Sequence, residues 1–456
     1  MNQSQNRRPS VAVIGTGISG MSAAWLLAPH VDLAVYECAG RIGGHSNTVN
    51  VCADGKAVAV DTGFIVYNEP TYPNLKALLE HFNVRTDETN MSFAASLRGG
   101  RCEYSGESPR GLFAQKANAL RPRFWRMLYD LQKFYRTAPA AVKSGRSSGA
   151  TLREFVAEHG YSTAFVEDHL LPLSAAIWSA PPGAMLDYPV EAFVRFHENH
   201  GLLKFVDRPI WRTVSGGSRA YVEKLTAEYE EAIVLHARLE HIRRVDDGVE
   251  ILDRSGSRRQ FDHVIFATHA DQALRLLADP STLERRLLAA FRYSCNEAYL
   301  HSDADLMPRL RSVWASWNFM GTGTVEDKLT VTYWMNNLQR LDTSQQLFVT
   351  LNPQIAPRDA TVHKVEAYEH PLIDRAAIDA QKQLWSLQGV DGTWFCGAYF
   401  GAGFHEDGLQ AGLAVAEQLA VSEGLHGVRR PWRVEAESGR IHVRDFSARQ
   451  PGRLAA

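Results

Sequence analysis

The spacing of apolar positions along the chain changes several times, and each change marks an element. Residues 11–14 form a short unbroken apolar run, read as a buried strand. The turn Gly15-Thr16-Gly17-Ile18-Ser19-Gly20 follows. Residues 21–27 are apolar and rich in good helix formers, and Pro29 ends them. A second apolar run, 31–36, closes on Glu37. The order predicts a β-turn-α-β unit. Further on, 58–67 reads as a strand with a glycine turn. Residues 73–82 read as a helix with Leu75, Leu78, Leu79 and Phe82 on one face. Residues 121–136 read as an amphipathic helix and 220–229 as another helix. Residues 235–244 and 249–253 predict antiparallel strands, and 261–269 a strand. Residues 394–397 run as a strand into a glycine turn. A helix opens at Asp407 and runs to Gln418, with Asp407 as its cap and Gln410 completing a capping box.

The first unit has a chemistry to match. Gly15 permits the tight turn, Gly17 lets the backbone approach a pyrophosphate, and Gly20 lets helix and strand pack closely. Unpaired N–H groups at the helix start suit an anion. Glu37, at the end of the second strand, can accept hydrogen bonds from ribose hydroxyls, and its charge disfavours a 2′-phosphate. The fingerprint predicts an adenine dinucleotide and argues against NADP.

Composition bounds the rest. The chain has 456 residues, 45% hydrophobic and 22% charged, with a net charge of −2. That is ordinary globular composition, with no global pull towards nucleic acid. The first residues are polar, and the apolar run after them is too short for a signal peptide. No apolar stretch reaches the roughly 18 residues of a membrane span. A cytoplasmic location is expected, with peripheral membrane contact left open. Five cysteines, Cys38, Cys52, Cys102, Cys295 and Cys396, are widely spaced without a CxxC, which argues against a disulfide framework and a zinc site. No metal is expected.

After Glu37 the chain continues Arg41-Ile42-Gly43-Gly44-His45. This resembles the R-x-G-G element of flavoproteins of the amine oxidase and phytoene desaturase superfamily. The Ala267-Thr268 strand end and the Gly397 and Asp407-Gly408-Leu409 segments resemble that superfamily's later motifs. Ser215-Gly216-Gly217 is similar to its P-x-G-G return, with Ser215 for a frequent proline. Ala398 stands where many relatives carry an acid. The segments V-D-T-G-F-I-V-Y-N-E at 60–69, A-T-H-A-D at 267–271 and G-F-H-E-D-G-L at 403–409 resemble a bacterial branch associated with fatty acyl modification.

The resemblance implies an α/β fold: a Rossmann-type FAD-binding domain with a doubly wound parallel sheet, and an inserted α+β substrate domain. The expected FAD domain comprises 1–85, 205–275 and 390–425. The substrate domain comprises 86–204 and 276–389, and 426–456 is a basic tail. The implied FAD contacts are Gly15, Gly17, Ile18, Ser19, Gly20, Glu37, Cys38, Arg41, Gly43, Gly44, His45, Thr62, Gly63, Phe64, Ala267, Thr268, Gly397, Asp407, Gly408 and Leu409. The last helix is expected to aim its N-terminus at the flavin pyrimidine ring, where it stabilises negative charge. Covalent attachment in monoamine oxidases uses a cysteine near the last motif. Here Cys396 precedes the glycine, so non-covalent FAD is expected.

The expected activity is FAD-dependent dehydrogenation of a hydrophobic substrate, foremost an acyl chain. A flavin amine oxidase making hydrogen peroxide, a double-bond isomerase and a non-enzymatic flavin-binding partner or sensor are the alternatives. His45, His269, His301 and His405 sit at motif ends, and His405 is the candidate catalytic base. The competing view is a loop histidine bonded to backbone. Asp61 is read as functional or as a turn carboxylate. Trp314, Trp317, Phe319, Tyr333 and Trp334 fall in expected strands, with Phe400 and Phe404 beside the last motif. They suit an apolar cavity, an amine cage or simple core packing. Arg121, Arg123, Arg126, Lys133 and Arg136 share 121–136 with aromatics. Such a helix either lies on an anionic membrane or is half-buried with a solvated basic face. Residues 144–149 read as a flexible surface loop. No oligomeric state follows.

Overall fold

Runs of fully apolar residues flanked by helices dictate parallel strands covered on both faces, and the computed structural model builds one such sheet. It describes residues 7–145, 147, 149–204 and 207–433. The expected loop residues Arg146 and Ser148, and the tail arginines Arg440, Arg444, Arg449 and Arg453, lie outside the described residues. The chain forms two compact units. One comprises Met1–Ile42, Thr226–Ala290 and Ile378–Ala456, the other Gly43–Leu225 and Phe291–Ala377.

The first unit holds a five-stranded parallel sheet ordered Ile233–Val234, Asp32–Tyr36, Ser10–Ile14, His263–Phe266, Thr393–Phe395. Val11, Ala12, Val13, Val264, Ile265, Phe266 and Phe395 are wholly buried. The chain leaves the first strand to one neighbour through the helix Ile18–Leu27, while the strand on its other side comes from 250 residues later. That order reversal makes a crevice at the carboxyl ends of the strands. A separate antiparallel sheet joins Leu239–Val245, Gly248–Asp253 and Arg258–Phe261. The single strand expected over 261–269 is thus divided. Arg258–Phe261 pairs antiparallel, and His263–Phe266 enters the parallel sheet after Asp262, whose carboxylate accepts from the Ser10 backbone N–H. The strand expected from 235 begins at Leu239.

The second unit is built on a seven-stranded mixed sheet. Its order is Val362–Leu372, Arg292–His301, Phe348–Leu351, Val331–Trp334, Trp317–Gly321, Phe93–Leu97, Cys102–Ser105. Only the pairing of Trp317–Gly321 with Phe93–Leu97 is parallel among these neighbours. Trp317, Phe319, Tyr333 and Trp334 lie in strands as expected, while Trp314 follows the short turn Arg311–Val313. The hairpin Thr48–Ala53 and Lys56–Asp61 and the helices Pro73–His81, Pro122–Lys143, Leu171–Trp178 and Val190–Asn199 complete it. Val60, Leu97, Tyr104, Phe124, Met127, Leu300, Phe319 and Val349 form one buried apolar cluster. Residues 43–85, expected with the nucleotide domain, group with this unit, because the hairpin and its turn bond to Ser218, Gln339 and Tyr368. Among the described residues no helix is long and apolar enough to cross a membrane.

Candidate functional site: a nucleotide cradle

The glycine turn follows the central strand of the parallel sheet. Gly15 takes φ +104°, and its N–H donates to the Tyr36 carbonyl at 2.8 Å. A Cβ there would lie 2.9 Å from the Ala267 carbonyl oxygen. A Cβ on Gly20 would lie 2.0 Å from the Gly15 carbonyl oxygen and 3.1 Å from the Ala267 methyl. Both glycines are therefore packing requirements of the turn, and Ala267 is the surface they pack on. Gly17 differs: a Cβ there would meet nothing within 4 Å. Its glycine leaves open space at the start of the helix, where first-turn N–H groups and the positive dipole end favour an anion.

Glu37 is buried and held from two sides. Thr16 donates to one carboxylate oxygen through its N–H (3.0 Å) and its hydroxyl, and Ala39 N–H donates to the other at 2.9 Å. Each carboxylate oxygen accepts about two hydrogen bonds, and the second place on the latter oxygen is taken by the Cys38 thiol, a weak donor that a ribose hydroxyl could displace. Cys38 is exposed, with Sγ 3.5 Å from that same oxygen, and burial and the Glu37 charge push its thiol pKa up. Arg41 is half-buried near the end of this stretch.

The last helix, His405–Ser422, crosses the first one at small residues. A Cβ on Gly412 would lie 2.1 Å from the Ser19 carbonyl oxygen, and one on Gly408 3.0 Å from Ile18 Cγ2. The N-terminal halves of both helices are thus packed together. Ile18, Ser19, Gly408 and the buried Leu409 hold this crossing. Gly412 is visible in the sequence as part of this helix start, but its packing role against Ser19 is not. The helix begins two residues before Asp407, which corrects the expected cap. Asp407 is at the third helical position, and its carboxylate accepts from Phe404 N–H at 2.9 Å. It fastens the loop leading into the helix and lies beside Gly401. Gln410 bonds Glu406 at 2.8 Å instead of closing a cap. Thr268 and Gly397 are neighbours here, since a Cβ on Gly397 would lie 3.5 Å from the Thr268 carbonyl oxygen.

His405 is the first helical residue. Its ring keeps some exposed surface but is enclosed enough that burial pushes its pKa down to about 3. Placed at the positive end of a helix, it is a neutral hydrogen-bonding group and a poor proton acceptor at neutral pH. Cys396 is wholly buried; its N–H donates to the Phe266 carbonyl at 2.9 Å, and burial pushes its thiol pKa up.

In the second unit the remaining predicted contacts gather separately. Gly43 and Gly44 take φ +106° and +57°, and Ser46 N–H closes the turn onto the Gly43 carbonyl at 2.9 Å. The His45 carbonyl accepts from Phe64 N–H at 2.7 Å, and a Cβ on Gly63 would lie 2.2 Å from that carbonyl oxygen. Thr62 bonds the Tyr368 hydroxyl at 2.7 Å, and the His45 ring lies 5.1 Å from Tyr368 and 5.3 Å from His370. Tyr368 and His370, on the long strand Val362–Leu372, were missed by sequence reasoning; no spacing linked them to 43–64. Asn296 donates to His370 Nδ1 at 2.9 Å and to the Ser179 carbonyl at 3.0 Å. That acceptor role fixes the neutral tautomer of His370 with its proton on Nε2.

Asp61 is wholly occupied structurally. It accepts from Thr48 (2.6 Å), from the Ser218 backbone N–H and hydroxyl, and from Gln339 Nε2 (2.9 Å). Burial raises its pKa to about 6. His301 bonds Thr350, and burial lowers its pKa to about 4; His269 precedes the helix Ala270–Leu276 in the first unit.

A sequence model described as flavin-containing amine oxidoreductase matches residues 18–302. The chain belongs to that family. Solved structures share its fold at low identity. Putrescine oxidase bound to putrescine aligns at 14% identity and TM-score 0.63, covering 91% of this chain and 99% of that one. A CLA-producing fatty acid isomerase from P. acnes aligns at 16% and 0.61, covering 92% and 99%. Cyclohexylamine oxidase from Brevibacterium oxydans IH-35A aligns at 16% and 0.61, covering 90% and 99%. Among curated proteins none matches by sequence.

The protein is an FAD-dependent oxidoreductase. The open space at Gly17, the anchored Glu37 and the packed helix starts fit that cofactor. With Cys396 wholly buried just past the strand Thr393–Phe395, FAD is held non-covalently.

Proposed function

We propose that this enzyme dehydrogenates a hydrophobic substrate, foremost a fatty acyl chain. The observation that carries the reading concerns charge in the second unit. Its buried carboxylates are Asp61, Glu103, Asp130, Asp168, Asp303 and Asp327, and each already accepts at least two hydrogen bonds from within the unit. Among these acids only Asp130 keeps an unpartnered oxygen, Oδ1, and its carboxylate is already paired with Arg126, so a neutral, apolar substrate is favoured. Phe319 and Tyr333 pack in the buried core of its sheet with Trp317 against them, which makes that sheet apolar. The solved fatty acid isomerase adds the point that this fold accommodates acyl chains.

FAD, when bound, supplies the two-electron acceptor. The chain binds the substrate, orients it and excludes water. Thr62 and Tyr368 are bonded to each other and Asn296 holds His370, so these polar side chains are fixed in place. His405 stays a neutral imidazole at neutral pH and serves as a positioning group. Lipid mass spectrometry of cells with and without the protein tests the reading. One acyl species should lose two hydrogens when the protein is present. An acyl product of unchanged mass replaces dehydrogenation by isomerisation. Hydrogen peroxide formed with simple amines, with the acyl pool unaltered, replaces it by amine oxidation.

A further inference from the structure

We propose that the start of the helix Pro122–Lys143, with the segment before it, docks on an anionic lipid surface. The helix buries Phe124, Met127, Leu131, Phe134 and Ala138 and turns a different set outward. Trp125 is 51% exposed and Tyr129 62%, and a spacing of four residues places them on one face. Leu120, 87% exposed, stands just before the helix. The Trp125 indole donates to the Ala119 carbonyl at 2.9 Å and its ring lies 5.4 Å from Phe113, so Leu120 is tied beside the first turn. These contacts hold an apolar ridge in place without covering it.

Charge around the ridge selects the occupant. Residues 110–143 contain eight Lys and Arg against one acid, Asp130, which is wholly buried, in a chain whose net charge is −2. Some of that charge is answered locally. Arg123 pairs with Glu167 and Asp168, Arg126 with Asp130, and Lys143 with Glu198. Arg110, Lys116 and Arg136 are exposed cations on the same stretch, and Arg121 is spent on neutral carbonyl and amide oxygens. Tryptophan and tyrosine prefer the headgroup level, and leucine inserts below it. Basic residues beside them are drawn by an anionic leaflet. A nucleic acid would use the cations but gains nothing from an exposed leucine, so a lipid surface fits better. The surface stands on its own and is independent of the substrate.

The full-chain holoprotein is to be sedimented with phosphatidylcholine vesicles, with and without phosphatidylglycerol. Binding should be at least about tenfold stronger with phosphatidylglycerol and should weaken with salt. Two variants separate the contributions. One carries Leu120→Ser, Trp125→Ser and Tyr129→Ser; the other carries Arg110→Gln, Lys116→Gln and Arg136→Gln. Each should lose about tenfold in vesicle binding while retaining its flavin. Absence of vesicle binding by the wild type overturns the proposal, as does unchanged binding by both variants. A DNA duplex that binds as tightly as the vesicles, and equally well to the serine variant, also overturns it. The charge variant touches only exposed side chains and keeps the test valid should the serine variant fail to fold.

Discussion

The nucleotide unit and the second unit differ in what holds their buried charge. In the first, Gly15, Gly20 and Gly412 allow backbone to touch backbone, Gly408 lets the last helix approach the Ile18 and Ser19 side chains, and Gly17 faces open space at the helix start. Its buried acid Glu37 is gripped by the backbone N–H groups of Thr16 and Ala39, and the weakest of its donors is the Cys38 thiol. In the second unit, two buried acids are held by partners distant in sequence: Asp61 by Ser218 and Gln339, Asp303 by Arg358. Polar burial in the first unit prepares a ligand contact; in the second it joins segments. The difference separates residues whose loss removes cofactor from residues whose loss removes fold.

The sharpest way to break that distinction lies inside the glycine turn. Gly20→Ala should be the most damaging change, since its Cβ would sit 2.0 Å from the Gly15 carbonyl oxygen, a fixed backbone atom. The turn or the helix must move, at a cost of about 3 kcal/mol, and flavin content should collapse. Gly17→Ala, three residues away, should leave the melting temperature of the apoprotein nearly unchanged while still reducing FAD retention. Equal destabilisation by both changes would show that Gly17 is also a packing residue. Thermal melting with flavin absorbance distinguishes the outcomes.

The pH dependence of Asp61 probes the second unit. Its carboxyl is raised from an ordinary value near 3.8 to about 6 by burial. A raised pKa means that the protonated form is favoured in the folded state. The stability linked to it is present below about pH 4 and is lost as pH rises through about 6, an effect of up to roughly 3 kcal/mol. Asp61→Asn should remove this slope from the denaturation midpoint between pH 4 and 6, measured at fixed FAD occupancy. A slope that persists would assign it to another group. The buried His169 and His197, lowered to about 4, work in the opposite sense, costing stability as pH falls from about 6.5 through 4.

Glu37→Gln tests the other kind of burial. The amide can keep an acceptor for one backbone N–H but loses the charge and the second carboxylate oxygen. FAD affinity should fall about tenfold to a hundredfold, with a smaller change in apoprotein stability. Isothermal titration of FAD into apoprotein reads the first quantity and thermal melting the second. A variant that binds FAD normally would place the ribose contact elsewhere.

What could be read in the sequence follows the same division. The β-turn-α-β unit was legible because its parts are consecutive: the strand Ser10–Ile14, the glycine turn and the acid at 37 all fall within 28 residues. The position of Asp407 was misread as a cap because helix starts carry several polar residues, and only geometry shows that His405 begins the turn. The packing role of Gly412 was not legible because its need comes from Ser19, far away in the chain. Tyr368 and His370 left no signal at all. They reach His45 and Thr62 through the pairing of a long strand, which local periodicity does not encode.

The smallest expected effect concerns His405. Its pKa near 3 keeps the ring neutral through the working range, so His405→Ala should leave the pH dependence of flavin reduction flat above about pH 5, as in the parent enzyme. The loss should appear instead in substrate or flavin positioning, as a change in rate of less than about tenfold that is the same at every pH. Stopped-flow flavin reduction across pH 5–9, with any substrate identified from the acyl pool, separates the two roles. Were the variant to abolish an ionisation near neutrality that the parent shows, His405 would be a proton acceptor after all. Its pKa would then have to rise on ligand binding, and the nucleotide unit, like the second, would contain a buried group whose charge state depends on a partner remote in sequence.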